Sequence, residues 1–351
     1  MTRCPALADL PPPPPGKTGW PWTEESPRLP AAMTADRPWP RISVVTFSYN
    51  QGRFIEEAIR SVLLQGYPDL EYIVVDGAST DDTVEIIRRY EPWLARWTSA
   101  PDRGPAHALN TACPWATGDL IGLMASDDSY LPDAFRRFAQ AHTETEGSLL
   151  LGAVEVFRDG GEVMWVDRPS GVTLEGALNP LAEGWHWNER GLMVPATVFR
   201  AAGPFDETLR YCTDEDQLCR LLQHASATYL EGVVARFRVH DAANTARDKV
   251  GIVRERLQLV QRYWHLLPDH DPRRARALHA VHEASMYLAQ HPIWASFWNR
   301  PAGLRLLLRA TREDPRIVGN QQFRRLLRRA LMPRRWLRSS PWRPPSAAIT
   351  P

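Results

Sequence analysis

The sequence predicts an α/β fold built around a mostly parallel sheet. Over residues 41–147, short apolar runs rich in β-branched residues alternate with segments whose apolar residues recur every three or four positions. Strands joined by crossover helices have this pattern. Polar and acidic residues follow directly after several of the apolar runs. The chain of 351 residues is 44% hydrophobic and 24% charged, so we expect a globular protein with a full core.

The first predicted elements are a strand, an amphipathic helix and a second strand. Residues 42–47 form a β-branched run that suits a buried parallel strand. Apolar residues then recur at helical spacing up to Gly66, which ends the helix: Phe54, Ile55, Ala58, Ile59, Val62 and Leu63. Residues 71–75 form the next apolar run and predict the second strand.

Two further strands complete the predicted parallel part. A helix with two aspartates in its first turn, favourable at the positive end of the helix dipole, stops before Pro92. Residues 95–99 predict a third strand, and residues 106–112 predict a short helix. Residues 119–124 are a fourth apolar run that leads directly into acidic residues. Successive βαβ units of this kind are right-handed.

The carboxyl ends of parallel strands meet at one edge of the sheet, and ligands bind there in such folds. We call this edge the rim, and the residues predicted to reach it are Ser48-Tyr49-Asn50, Asp76-Gly77, Asp102-Arg103-Gly104 and Asp127-Asp128. Adjacent carboxylates repel unless a cation lies between them, and hard divalent ions prefer oxygen ligands. The Asp127-Asp128 pair therefore indicates either a metal site or the cap of the following helix. The pair alone does not decide between them.

The regions on either side of the parallel part differ in composition. Residues 1–40 hold eleven of the 31 prolines, which predicts a disordered, flexible leader. Residues 149–157 and 162–167 flank Asp159-Gly-Gly161 and predict a hairpin. Helices are predicted from about Lys249 onward. The expected domains are a leader (1–40), a domain of two halves (41–147 and 148–245) and a helical, basic extension (246–351).

Charge and cysteine content exclude several classes of protein. The net charge is +1, but residues 300–351 carry thirteen arginines and two acids. No run of apolar residues approaches the 18 that a transmembrane helix needs, and the N-terminus lacks the features of a signal peptide. The four cysteines contain no C-x-x-C pair, so we expect reduced thiols and a cytoplasmic protein.

The turn after the first strand argues against two nucleotide-binding classes. It has the sequence Ser48-Tyr-Asn-Gln-Gly52, which is not the G-x-G-x-x-G turn of a dinucleotide-binding fold. The chain also lacks a G-x-x-x-x-G-K-[ST] motif. A dehydrogenase and a P-loop kinase are therefore disfavoured.

Four blocks in this order resemble the family 2 inverting glycosyltransferases, which have the GT-A fold. The first is the segment from Val44 to Gln65, which contains Thr-Phe-Ser-Tyr-Asn-Gln-Gly. The others are Tyr72-Ile-Val-Val-Asp-Gly-Ala-Ser-Thr-Asp-Asp-Thr83, Pro101-Asp-Arg-Gly-Pro-Ala-His-Ala-Leu-Asn110, and Ala116-Thr-Gly-Asp-Leu120 with Ser126-Asp-Asp-Ser-Tyr-Leu-Pro132. The resemblance covers about residues 41–245. It implies a transferase with a nucleotide-sugar-binding half and a mixed acceptor half.

The resemblance implies a donor site on the rim. The residues that would contact the nucleotide sugar are Thr46, Ser48, Tyr49, Asp76, Asp102, Arg103 and Asp127. Asp128 would bind Mg²⁺ or Mn²⁺ on the diphosphate, and His240, in Phe237-Arg-Val-His240, would reach the metal or the diphosphate. Ala125 stands where many relatives have Asn or Asp, so the motif has its reduced form.

The same resemblance implies an acceptor site near Asp214. In the segment 209–221 an acid lies six residues before Arg220, which makes Asp214 the general base and Asp216 the neighbouring candidate. Capping of the helix start is the alternative role for these acids. The implied reaction is a hexosyltransferase-type transfer from a nucleoside-diphosphate sugar to a hydroxyl of a glycan, a lipid-linked or another acceptor, with inversion, in polysaccharide or glycan biosynthesis.

Three other hypotheses stay open. A nucleotidyltransferase could use a similar sheet, although the basic glycine-rich loop of that class is missing after the first strand. An inactive glycosyltransferase-like protein could bind nucleotide sugars without transferring them. The basic amphipathic segment 323–332 either contacts the inner face of a membrane peripherally or is a solvated helix face. We expect no specific nucleic-acid partner.

Overall fold

The computed structural model describes residues 4–33, 37–179, 185–240, 249–267, 276–278, 280–281, 283–284 and 295–331. The chain forms two compact units. The first unit comprises residues 1–170, 186–208 and 220–240, and the second comprises residues 171–185, 209–219 and 241–351. The basic residues that follow 331 lie outside the described residues.

The described elements agree closely with the predicted ones over residues 42–167. The strands are β1 (Ile42–Ser48), β2 (Leu70–Asp76), β3 (Arg96–Ser99), β4 (Leu120–Ala125), β5 (Ser129–Tyr130), β6 (Leu149–Arg158), β7 (Val163–Asp167), β8 (Leu192–Pro195) and β9 (Ala227–Val239). The helices are α1 (Ile55–Leu63), α2 (Thr83–Tyr90), α3 (Pro105–Ala112), α4 (Ala134–Glu144), α5 (Leu174–Leu178), α6 (Ala196–Ala202), α7 (Thr213–Leu221), α8 (Lys249–Tyr263), α9 (Ala295–Glu313) and α10 (Gln321–Leu331). Short 3₁₀ helices include Glu189–Gly191, before β8, and Pro315–Gly319, between α9 and α10.

The first unit contains one mixed sheet in the order β3-β2-β1-β4-β8-β6-β9-β5, and β7 pairs with β6. Strands β3, β2, β1 and β4 are all parallel, which confirms the predicted parallel part. Strand β8 joins β4 and β6 in antiparallel pairing, and β9 runs parallel to β6. The predicted hairpin is confirmed by the antiparallel pairing of β6 with β7.

Register places the predicted rim residues side by side. Ser48 pairs with Asp76 across β1 and β2, and Asp76 pairs with Ser99 across β2 and β3. Strand β4 ends one step short of this line, with Ala125 opposite Phe47. The next residues of β1, β2 and β4 therefore leave the sheet at the same edge.

Residues 4–33 and 37–40 pack on the first unit, so the prediction of a flexible leader is wrong for these residues. Cys4, Leu10 and Trp39 are buried in the same apolar cluster as β1, β2 and α1. Backbone hydrogen bonds join Ser26 N–H to the Leu64 carbonyl at 2.9 Å and Leu29 N–H to Gly66 O at 3.0 Å. The prediction from composition failed because a proline-rich segment can still pack in an extended form. Its carbonyl groups then accept hydrogen bonds from donors in the rest of the first unit.

One buried arginine on α1, Arg60, donates several hydrogen bonds to this N-terminal segment. The Arg60 guanidinium donates to three carbonyls of the N-terminal segment: Pro21 at 3.0 Å, Pro11 at 2.8 Å and Trp22 at 2.9 Å. It also donates to the hydroxyl of Tyr90, on α2, at 3.0 Å. Arg60 has no exposed surface, and its charge is therefore solvated by backbone dipoles of the N-terminal segment rather than by water.

Gly66 allows the chain to pass close beneath this segment. Its φ is +63°, which favours glycine, and an added Cβ would lie 2.5 Å from the Pro27 carbonyl oxygen. The tight approach and the hydrogen bonds on either side fix the path of residues 26–29 across the end of α1.

The second unit is helical, as predicted for the C-terminal region. Residues from α5, α7, α8 and the later helices share one apolar cluster that includes Leu178, Cys212 and Leu259. Glu255, on α8, accepts hydrogen bonds from the backbone N–H groups of 210, 211 and 212 at 2.7–2.8 Å. This packing explains why residues 171–185 and 209–219 join the C-terminal helices, unlike the predicted division at 245. Among the described helices, none has the length and apolar composition needed to cross a bilayer.

We expect Arg60→Met to destabilise the first unit by about 3–5 kcal/mol, because several buried acceptors lose a charged donor. The free energy of unfolding in urea measures this change, and limited proteolysis should show new cleavage within residues 4–33. Arg89→Met is the matched control, since Arg89 is half-exposed and pairs with Glu56 only at 3.8 Å. Equal stability of the two variants would contradict the role assigned to Arg60.

Candidate active site

Asp76 ends β2 and organises the turn that follows it. Its carboxylate is buried and accepts hydrogen bonds from the Ser79 backbone N–H at 2.8 Å, from the Ser79 hydroxyl and from the Ser99 hydroxyl at 2.7 Å. The Asp76 carboxylate therefore holds the ends of β2 and β3 together. It also fixes the backbone of the rim loop 77–80.

The three predicted contacts at the end of β1 differ in their surroundings. Thr46 is fully buried, and its hydroxyl oxygen accepts a hydrogen bond from Tyr72 at 3.0 Å. Thr46 thus supports the sheet interior and does not line the rim. The Ser48 hydroxyl is buried and has no hydrogen-bond partner among the described residues. Tyr49 is 59% exposed, so its ring is free to meet a ligand.

The Asp102-Arg103 segment lies against the loop that follows β2. A Cβ added at Gly77 would lie 2.7 Å from Asp102 Oδ2 and 3.3 Å from the Tyr49 ring, so only glycine allows these two side chains to approach. Asp102 Oδ1 accepts the Gly104 N–H at 2.7 Å, which orders the start of α3. The structure thus brings Asp102 and Tyr49 together at Gly77.

Arg103 is largely exposed and forms an ion pair with Glu207. Its Nε lies 3.2 Å from Glu207 Oε2, and Asn110 donates to the other oxygen at 3.1 Å. These hydrogen bonds, from Asn110 first and then Arg103, lower the pKa of Glu207. Arg103 is therefore held beside α3 by an acid that sequence reasoning did not identify.

Asp127 follows β4 and faces His240, the residue directly after β9. The Asp127 Oδ2 and His240 Nε2 atoms are 3.0 Å apart, and the His240 ring packs against Phe54 at a tilted angle, with centroids 4.8 Å apart. Burial opposes ionisation of Asp127, but the hydrogen bond from His240 and the charge of Arg190 lower its pKa. Asp127 is therefore a carboxylate at neutral pH. The structure brings together the predicted pair Asp127 and His240.

Asp128 points into the protein, so its predicted role as the metal ligand does not fit this geometry. Its Oδ2 accepts from Arg190 Nε at 2.6 Å, and its Oδ1 accepts the Arg238 backbone N–H at 2.8 Å. The side chain has no exposed surface. Burial raises the pKa of Asp128 to about 7, and the charge of Arg190 opposes that rise. Both carboxylate oxygens are already used, which leaves Asp127 as the accessible acid of the pair.

Arg238 connects the same loop to the body of the first unit. Its guanidinium donates to the Asp127 carbonyl at 3.0 Å and pairs with Glu57 at 2.8 Å and Asp159 at 3.2 Å. Arg238 lies inside the late motif that also contains His240, so the sequence offered a signal for it. Arg238 holds the main chain at Asp127 while that side chain turns to His240.

Arg190 was missed because no recognised motif surrounds it. It lies in the 3₁₀ helix before β8, between the carboxylates of Asp128 and Glu189, and packs over the ring of Phe237 at 4.7 Å. Burial disfavours its charge, but these carboxylates hold the pKa of Arg190 above its usual range. Within the described residues, no group of three or more Cys, His, Asp or Glu side chains is arranged to hold a metal ion by itself.

The three acids at the start of α7 belong to the second unit and have different surroundings. Asp216 is fully buried and accepts from Arg262 Nη1 at 2.8 Å and from the Tyr263 hydroxyl at 2.7 Å. Glu215 pairs with Arg256 on α8. Asp214 is half-buried, and its carboxylate accepts the Glu215 backbone N–H at 2.8 Å. Asp216 and Glu215 therefore anchor α7 to α8.

Arg220 was predicted to belong to the catalytic set, but its contacts are with the main chain. Its Nη1 donates to the carbonyl oxygens of Ala202, at 2.7 Å, and Pro204, at 2.5 Å. These residues follow α6, so Arg220 fastens the end of α6 to α7. The contacts assign it a positioning role in the first unit.

The order of strands defines an α/β domain with polar residues gathered at one edge of the sheet, and comparisons with known proteins show what it resembles. Residues 43–201 match the family model described as glycosyl transferase family 2. A residue 1–349 fragment of S. aureus TarS, solved in complex with UDP-GlcNAc, superposes with a TM-score of 0.56 at 17% identity, covering 78% of this chain and 88% of that one. Residues 43–201 are thus similar to family 2 glycosyltransferases, and the chain has the GT-A type of fold.

Curated relatives are glycosyltransferases by name. An uncharacterized glycosyltransferase of Rickettsia typhi is 27% identical over 214 residues, which are 59% of this chain and 66% of the relative. One from Mycobacterium tuberculosis is 36% identical over 104 residues, 29% of this chain and 40% of the relative. The putative teichuronic acid biosynthesis glycosyltransferase TuaG of Bacillus subtilis is 30% identical over 144 residues, 40% of this chain and 57% of the relative. The chain spans 40–66% of the length of these proteins.

The Asp128 geometry leads to a stability prediction. Asp128→Asn should lower the free energy of unfolding by about 3–5 kcal/mol, because buried Arg190 loses its closest counter-charge. Asp127→Asn, the adjacent control, should change it by no more than about 1 kcal/mol, since Asn keeps a hydrogen-bond partner for His240. Urea denaturation of both variants measures the difference. The opposite order would show that Asp127, not Asp128, carries the structural role.

Proposed function

We propose that the chain is an inverting glycosyltransferase that binds a nucleoside-diphosphate sugar along the rim and transfers the sugar to an acceptor hydroxyl. The observation that carries this proposal is the ionised, accessible Asp127, placed at the end of β4 in a family 2 domain. The exposed Tyr49 ring, directly after β1, offers a further contact for a nucleotide.

Asp127 and His240 are the residues that would hold Mg²⁺ or Mn²⁺. These ions commonly bind through one or two carboxylates together with the phosphates of the substrate, and a full protein cage is not needed. The Asp127 carboxylate is ionised, and His240 Nε2 is 3.0 Å from it. When bound, the ion would stabilise negative charge on the departing diphosphate. This proposal replaces Asp128 by Asp127 as the metal ligand.

The second step needs a base for the acceptor hydroxyl, and we assign it to Asp214. Asp214 lies six residues before Arg220, which is the spacing that the resemblance gives to the base. Asp216 contacts Arg262 and Tyr263, and Glu215 contacts Arg256, so these two acids anchor α7. Asp214 would remove the proton as the hydroxyl attacks the anomeric carbon, and the diphosphate would leave from the opposite face with inversion.

Donor binding is the first test. Calorimetry with UDP, GDP and dTDP should show binding of at least one of them that weakens when Mn²⁺ is replaced by EDTA. Asp127→Asn should remove the metal-dependent part because its carboxylate is the proposed ligand. Asp82→Asn is the control, since Asp82 is exposed and makes no side-chain cap bond at the start of α2.

Metal-independent binding, or binding that Asp127→Asn leaves unchanged, would contradict the metal role of Asp127. Tight donor binding without any transfer, tested over a panel of glycan acceptors, would favour the inactive nucleotide-sugar-binding hypothesis.

The base assignment leads to a kinetic prediction. Asp214→Asn should lower kcat by about 10²–10⁴-fold with donor affinity nearly unchanged, because the base acts on the acceptor. Asp216→Asn should mainly lower the melting temperature, because it removes a buried charge from Arg262. Release of nucleoside diphosphate from the donor, measured with acceptor present, gives kcat. A normal kcat for a folded Asp214→Asn protein would show that Asp214 is not the general base.

A further inference from the structure

Helix α9 has one buried face and one exposed face of distinct composition. At 100° per residue, the exposed positions between 301 and 313, where the structure describes side chains, fall within an arc of about 100°. These positions are Pro301, Arg305, Leu308, Arg309 and Arg312. Leu307 and Ala310, on the opposite side, have no exposed surface. Leu308 lies at one edge of the exposed arc and is 60% exposed.

Helix α10 repeats this division of faces. Its exposed positions fall within an arc of about 120°. They are Gln321, Arg324, Arg325, Arg328 and Leu331. Phe323 and Ala330 are buried in the apolar cluster of the second unit. Leu331 is 62% exposed and lies at the end of the exposed face.

The charge of these faces has one sign. We call Arg305, Arg309, Arg312, Arg324, Arg325 and Arg328 the arginine face. Within the described residues none of these six forms an ion pair. The two acids of the region are used by other arginines, since Glu313 pairs with Arg276 and Asp314 with Arg316. Among the residues that the structure describes, no acid therefore compensates the positive charge of the arginine face.

Exposed apolar side chains accompany this charge on consecutive elements. Leu308 lies on α9, Val318 on the intervening 3₁₀ helix and Leu331 on α10, and Val318 is 41% exposed. Of the eight large apolar side chains that are exposed within the described residues, three therefore lie on this stretch. A nucleic-acid surface would use polar and aromatic contacts between its arginines. Arginine with leucine suits the boundary between lipid headgroups and acyl chains, where long basic side chains extend to the phosphates.

We propose that the arginine face, together with Leu308 and Leu331, binds the surface of a bilayer that contains anionic lipids. Arginines would pair with headgroup phosphates, and the two leucines would enter the apolar boundary beneath them. The proposal concerns the second unit alone and does not depend on the proposed glycosyl transfer. It assigns the contact to the described helices α9 and α10.

Vesicle co-sedimentation of the full chain tests this proposal. Binding should be strong to phosphatidylcholine vesicles with about one third phosphatidylglycerol, weak to pure phosphatidylcholine, and reduced by salt. Each arginine near an anionic surface contributes roughly fivefold in affinity, so Arg305→Glu/Arg324→Glu should weaken binding by at least about tenfold. Leu308→Ser/Leu331→Ser should weaken it at high salt, where the apolar contact remains.

The matched control is Arg88→Glu/Arg200→Glu, which makes the same charge change at exposed positions of the first unit. It should bind vesicles like the wild type, and thermal melts confirm that every variant is folded. Equal binding of the arginine-face variant and the wild type would overturn the proposal, as would absence of vesicle binding. Tighter binding to duplex DNA than to vesicles, lost in the arginine variant and unchanged in the leucine variant, would overturn it in favour of a nucleic-acid surface.

Discussion

The buried Asp128 carboxylate is the contact on which the site depends. It ties the segment after β4 to Arg190, before β8, and to the Arg238 N–H on β9. The Asp128 carboxylate therefore connects segments next to β4, β8 and β9, which are distant from one another in sequence. Because the Arg238 guanidinium also holds the Asp127 carbonyl, the main chain is fixed and the Asp127 side chain turns to His240. The buried carboxylate of Asp128 in this way helps to orient the carboxylate of its neighbour Asp127.

The sequence allowed the parallel strands and the location of the rim to be predicted, because alternation and strand-end polarity are local signals. Which of Asp127 and Asp128 is the proposed metal ligand could not be decided from the neighbouring sequence. The two residues are adjacent and chemically identical, and they differ in partners that lie 62 and more than 100 residues away. The same holds for α7, where Asp216 is distinguished from Asp214 by Arg262 and Tyr263 on α8. Motif spacing cannot resolve such neighbours.

For the N-terminal segment the prediction failed for the opposite reason. The local signal, its high proline content, was strong but misleading. A proline-rich chain lacks many N–H donors, so composition predicts that it forms little regular structure by itself. It keeps every carbonyl, however, and Arg60 binds three of them. The relevant information was a single arginine on an amphipathic helix, at a position with no exposed surface. Sequence patterns cannot tell such an arginine from a solvated one.

The contacts of Arg60 also constrain how this part of the molecule can change in evolution. The Arg60 guanidinium donates hydrogen bonds to main-chain carbonyls, which every amino acid provides. Side chains along the N-terminal segment can therefore be replaced as long as the path of its backbone is kept. Sequence similarity should then fade here faster than shape. The family match begins at residue 43, whereas Cys4 is already buried in the core. A domain boundary drawn at the onset of recognisable similarity would cut through the folded unit.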